Sequence, residues 1–174
     1  MNPFKYGKIV EGEFFYDRVE ELKRIKDTLK GGNNLVLYAP RRYGKSSLVH
    51  KALNELQAEG FNTLYLDFLS IYSREVFIKN YSKLIAEKNS SLIEATVKKF
   101  GKLIRGIVPS LSFDNFGNPS FSFSWIDGAE KLQTLEDVIN LPDKLSNKKN
   151  KWIIAFDEFQ EITKLNGESF EKLL

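Results

Sequence analysis

At 174 residues and 20.1 kDa the chain suits one domain, and its 42% hydrophobic and 28% charged residues are the balance of an ordinary globular protein. The lack of cysteine excludes a disulfide framework or a thiolate metal site, and the single histidine, His50, excludes a multi-histidine zinc site or a histidine triad within this chain. A net charge of +3 is mild for a nucleic-acid binder, and no apolar run approaches the ~20 residues of a membrane span, so the cytoplasm is the expected compartment.

Asn2 to Tyr16 mixes aromatic and polar residues without a period. Asp17 with Glu20 three residues later resembles a capping box, and Val19, Leu22, Ile25 and Leu29 predict one apolar helix face ending at Gly31-Gly32. Leu35 to Tyr38 is a short apolar run bounded by Gly31-Gly32 and Pro40, the pattern of a buried strand. Ala39 to Gly44 forms a loop, and Gly44-Lys45-Ser46-Ser47 opens a helix with apolar spacing at Leu48, Val49, Ala52, Leu53 and Leu56, closed by Gly60.

Asn62 to Phe68 predicts a second strand ending in Asp67, which either faces the phosphate rim or serves as a polar strand terminus. Ser73 to Arg105 has helical spacing, with Asn89-Ser90-Ser91 expected to divide it in two. After Gly106 the period becomes two. Ile107, Leu111 and Phe113, then Phe121, Phe123 and Trp125, predict a β-hairpin over residues 107–125, inserted at the margin of the domain. Its aromatic face either packs onto the domain, the favoured alternative, or meets a partner. Thr134 is expected to cap a helix carrying Leu135, Val138, Ile139 and Leu145, kinked or divided at Pro142. Lys148-Lys149-Asn150-Lys151 reads as a solvated loop, with nucleic-acid contact as the lesser alternative. Trp152 to Phe156 is a further apolar strand ending in Asp157-Glu158, and Ser169 to Leu174 opens another helix. Alternating strands and helices predict an α/β fold, a parallel sheet covered by helices.

Strand, loop, Gly-Lys-Ser and helix in that order is the arrangement of a phosphate-binding P-loop. Ala39, Pro40, Arg41, Arg42, Tyr43, Gly44, Lys45, Ser46 and Ser47 would form the cradle, whose backbone N–H groups hold a triphosphate at a helix N-terminus carrying roughly half a positive charge. Lys45 would reach the β and γ phosphates, and the Ser46 hydroxyl would be a Mg2+ ligand. The motif ordinarily begins with glycine, and Ala39 fits there only outside the left-handed backbone region. Adjacent carboxylates at the end of an apolar strand are costly without a cation. Asp157 would hold Mg2+ through its water shell, and Glu158 would polarise the attacking water.

FYDRVEEL (Phe15 to Leu22), YAPRRYGKSSL (Tyr38 to Leu48) and AFDEFQEI (Ala155 to Ile162) together resemble the archaeal-type ATPase family, P-loop ATPases similar to AAA+ and STAND proteins. The likeness covers nearly the whole chain, and its second and third segments stand in the place of the Walker A and Walker B motifs. It implies ATP and Mg2+ as cofactors. It also implies phosphate contacts for Arg41 and Arg42, direct or across a subunit interface, and places Phe15 and Arg18 near the adenine. Members of that family continue past the Asp-Glu motif with a sensor strand, an arginine finger and a lid. The expectation is therefore that residues 1–174 are the N-terminal part of an ATPase domain, with an incomplete sheet and little hydrolysis of its own.

Three functions are weighed. The leading one is an ATPase acting as a nucleotide-driven switch, with self-association or a protein partner. The second is a non-catalytic nucleotide-binding scaffold that presents a surface such as Phe121–Trp125. The third, a small-molecule kinase, is disfavoured by the second carboxylate of the Asp157-Glu158 pair.

Overall fold

A computed structural model describes residues 18–40, 42–88, 93–117, 119–129, 131–146 and 151–165, with the backbone alone for residues 93–96 and 131–132. These residues form helices and a two-stranded parallel sheet, an α/β arrangement, together with a separate antiparallel hairpin. The chain divides into two compact units, residues 1–65 with 149–155, and residues 66–148 with 156–174.

The first unit rests on two helices, α1 (Val19–Lys30) and α2 (Lys45–Ala58). Leu22 and Ile25 of α1 pack on Leu48 and Ala52 of α2, with Leu29 and Leu37 at the margin. Val19 does not share that face. It is 76% exposed. Ion pairs reinforce the helix pair: Lys26 reaches Glu55 at 2.7 Å and Glu59 at 2.9 Å, and Lys30 also pairs with Glu59. Gly31 caps α1, with Gly32 at φ 78 turning the chain away. A second cluster joins Leu53 and Leu56 of α2 to Ile153, with Val49, Phe61, Tyr65 and Ala155 against it. It covers the starts of β1 (Asn62–Asp67) and β4 (Trp152–Asp157), the two strands of the parallel sheet.

The buried strand expected over Leu35 to Tyr38 does not form. Residues 33–40 are irregular, with Val36 73% and Tyr38 93% exposed. A strand exists only through hydrogen bonds to a neighbour. Among the described residues β1 and β4 pair with each other and no strand pairs with this segment. Only Leu37, packed on the α1–α2 cluster, gains the burial that the apolar run suggests.

In the second unit, β1 ends at Asp67, whose carboxylate accepts the Leu69 N–H at 2.9 Å and starts a 3₁₀ turn over Phe68–Ser70. This hydrogen bond fits a polar strand terminus, one of the two roles open to Asp67. Helices α3 (Arg74–Lys88) and α4 (Ile93–Leu103) replace the single long helical stretch, as the Asn-Ser-Ser break predicts. An aromatic column runs through the core, with Phe77 stacked on Tyr81 at 5.1 Å and on Phe68 at 5.9 Å, and Phe156 edge-on to Phe68 at 5.4 Å. Burial pushes the Tyr81 hydroxyl well above the usual phenol range.

The hairpin pairs β2 (Ile107–Phe113) with β3 (Pro119–Trp125) in the register Ile107 to Trp125 through Phe113 to Pro119. Asp114 sets the turn, accepting the Phe116 N–H on its side chain and the Gly117 N–H on its carbonyl. Phe121 and Phe123 are 2% and 6% exposed, and Phe123 lies 6.1 Å from Phe100 of α4. The face therefore packs onto its own unit, and the proposed partner surface at Phe121–Trp125 is overturned: two of its three aromatics have no area left to offer. Thr134 is not a helix cap either. It lies inside α5 (Lys131–Ile139), buried, with its hydroxyl 2.3 Å from where a Gly106 Cβ would stand. Pro142 divides the helical stretch as predicted, sitting in the first turn of α6 (Leu141–Leu145).

Asp17 and residues 147–150 and 169–174 lie outside the described residues, and Arg18 occupies the N-cap of α1. Among the described residues no helix is long and apolar enough to cross a membrane.

Candidate functional site

The candidate residues fall in two places, a loop and helix start in the first unit and a strand end in the second. In the loop, Pro40 accepts the Tyr43 N–H at 3.2 Å and Gly44 accepts the Leu48 N–H at 3.0 Å, so a tight turn feeds directly into α2. Gly44 has φ 72 and Arg42 φ 68. The first is the ordinary use of glycine, while the second places an arginine in a backbone region that costs an L-residue roughly 1–2 kcal/mol. Ala39 avoids that region, meeting the condition its methyl group imposes. Arg41 and Phe15 lie outside the described residues.

Lys45 and Ser46 open α2 half-buried, while Ser47 and Leu48 turn inward and fix the helix start to the core. The electrostatics of the two helix starts differ. Helix α1 carries Glu20 and Glu21 in its first turn, which offset the positive end of its dipole. Helix α2 has no acid in its own first turn and no side-chain cap at Gly44, so no side chain of that turn offsets its positive end as Glu20 and Glu21 do in α1. The position a Gly44 Cβ would occupy meets only the Arg18 guanidinium within 4 Å, at 3.7 Å. Arg18 reaches the loop from the start of α1, its Nη1 donating to the Tyr43 carbonyl at 3.0 Å while its Nε pairs with Glu21.

At the strand end, Asp157 is half-buried and its carboxylate accepts the Glu158 N–H at 2.9 Å. Glu158 has φ 49, the second described non-glycine residue in the left-handed region. Strained backbone of this kind clusters at functional sites because the surrounding structure must hold it. Here the Glu158 carbonyl accepts the Glu161 N–H at 2.9 Å, and the Gln160 amide donates to the Glu158 carboxylate at 2.5 Å. Phe156 and Phe159 frame the pair, stacked at 6.1 Å.

The structure thus gathers Ala39, Pro40, Arg42, Tyr43, Gly44, Lys45, Ser46 and Ser47 in one loop and helix start, and sets Asp157 and Glu158 side by side in the other unit. Sequence reasoning did not foresee the Arg18–Tyr43 and Gln160–Glu158 contacts. The second had a local signal, an amide two residues after the acid. The first spans 25 positions and had none. His50 sits on α2 with its ring 4.1 Å from that of Tyr65.

Comparison with curated proteins and with solved structures finds no match. Residues 15–174 match the model of a family described as an ATPase domain predominantly from Archaea. The match runs through the loop, the α2 start and the Asp157-Glu158 pair alike, and the chain belongs to this family of ATPase domains.

Proposed function

We propose that the chain binds ATP with Mg2+ on the Ala39–Ser47 loop and hydrolyses it, serving as a nucleotide-driven switch of the AAA+ or STAND kind. The carrying observation is the start of α2: a left-handed Gly44, whose Cβ position meets only the Arg18 guanidinium at an ordinary 3.7 Å, directly before a helix with no acidic side chain in its first turn. Lys45 would pair with the β and γ phosphates, and Arg42 would lie alongside them. Ser46 and Asp157 are hard oxygen donors, the type Mg2+ prefers. Bound there, the ion would neutralise charge on the phosphates. Glu158 would orient the attacking water and accept its proton as the new oxygen–phosphorus bond forms and the bond to ADP breaks. Residues 1–174 would then form one ATPase domain with the hairpin of residues 107–125 as an insertion.

The scaffold reading has lost its candidate surface, since Phe121 and Phe123 are buried in the chain itself. Phosphate release beside calorimetric ATP binding tests the ATPase reading. The expected outcome is that Glu158→Gln keeps binding and loses turnover. Equal release by wild type and Glu158→Gln refutes the role given to Glu158.

A further inference from the structure

The backbone of residues 42–44 is unusual in having two left-handed residues, Arg42 at φ 68 and Gly44 at φ 72, on either side of Tyr43. A loop of that shape needs a tie from outside to persist. Arg18 is placed to supply it: Nη1 donates to the Tyr43 carbonyl at 3.0 Å, and Nε is held by the Glu21 carboxylate one turn into α1. A guanidinium can do both at once because its donors form a rigid fork. Helix α1 is itself anchored on α2 by the Lys26–Glu55 and Lys26–Glu59 pairs, so the arginine acts from a fixed base.

Peptide planarity gives this contact a consequence. In a trans peptide the carbonyl and the following N–H point in opposite directions. Drawing the Tyr43 carbonyl onto Arg18 therefore aims the Gly44 N–H away from Arg18. That N–H immediately precedes the first-turn donors of α2.

We propose that Arg18 is a positioning residue for the phosphate loop, holding the Tyr43–Gly44 peptide in its anion-binding orientation before any nucleotide arrives. This inference rests on the nucleotide reading above. It assigns Arg18 to the loop backbone rather than to the base.

The test uses Arg18→Gln and the milder Arg18→Lys, which keeps the charge but lacks the fork. Affinities for ATP·Mg2+ and for inorganic tripolyphosphate with Mg2+ are measured by calorimetry, and backbone hydrogen exchange is followed without nucleotide. Both affinities should fall together, roughly 10- to 100-fold for Arg18→Gln, as expected for a lost hydrogen bond from a charged donor. Arg18→Lys should fall in between. Exchange at residues 43–48 should quicken in the ligand-free variants while residues 25–30 of α1 keep their protection. A loss confined to ATP, with tripolyphosphate binding unchanged, overturns the inference in favour of a contact with the base. Unchanged exchange at residues 43–48 overturns it as well. Failure of the wild type to bind either ligand overturns the nucleotide reading and this inference with it, which separates the two failures.

Discussion

Replacing Gly44 by alanine separates the backbone role of this residue from its role toward a ligand. Its φ of 72 puts the cost of an L-side chain at roughly 1–2 kcal/mol. Crowding adds nothing, because the new methyl meets only the Arg18 guanidinium, at an ordinary contact distance of 3.7 Å. In a domain of this size that cost lowers the melting temperature by about 2–8 °C. Gly60, after the end of α2, is the matched control: φ is 97 and nothing lies within 4 Å of a Cβ there. Gly60→Ala should thus melt lower by a similar amount. The variants part at the ligand, because the Gly44 methyl would stand where the backbone approaches the phosphates. Calorimetry should show ATP·Mg2+ affinity down at least ~10-fold in Gly44→Ala and near wild type in Gly60→Ala. Equal affinities in the two variants would refute the placement of phosphate against Gly44. An undiminished melting temperature in Gly44→Ala would refute the left-handed turn itself.

Four further expectations concern the scaffold. Lys30 and Lys26 hold the Glu59 carboxyl below its ordinary value of 4.5, and Glu55 and Glu59 raise Lys26 above 10.5. The Glu59 contribution is present above its unfolded value and lost as pH falls through the lowered folded one, while that of Lys26 is lost as pH rises through its raised value. The melting temperature of wild type should exceed that of Glu59→Gln by a constant margin at neutral pH, and the margin should close below pH 4.5. Leu56→Ala, at a side chain 0% exposed between α2 and Ile153, should cost about 2–5 kcal/mol in denaturant unfolding. Gly106→Ala combines φ 88 with a Cβ only 2.3 Å from the Thr134 hydroxyl and 2.8 Å from the Ala129 methyl carbon. It should cost about 2–5 kcal/mol, partly recovered by adding Thr134→Ala. Ser82 is fully buried with no partner for its hydroxyl among the described residues, so Ser82→Ala should leave stability unchanged or raise it by ~1 kcal/mol in the same unfolding assay.

Helices and the hairpin were legible because their signals are local. The spacing of Leu22 and Ile25, of Phe77, Tyr81 and Ile85, and the alternation through Phe121 and Phe123 each match a face that is buried. Leu35 to Tyr38 shows where such reading stops. An apolar run states that a strand would be buried if a neighbour paired with it, and pairing is decided elsewhere in the chain. Thr134 illustrates the same limit, since a residue with cap-forming chemistry sits buried inside α5. The motif residues of the candidate site could be named from type and spacing. The left-handed conformations of Arg42 and Glu158 could not, because no local preference favours them.

The most direct test of the account is titration of the 174-residue chain with ATP in the presence and absence of Mg2+, beside Lys45→Ala under the same conditions. Saturable binding by wild type, strengthened by Mg2+ and abolished in Lys45→Ala, is the expected result. Binding that Lys45→Ala leaves intact, or no binding by a folded wild-type chain, would contradict it.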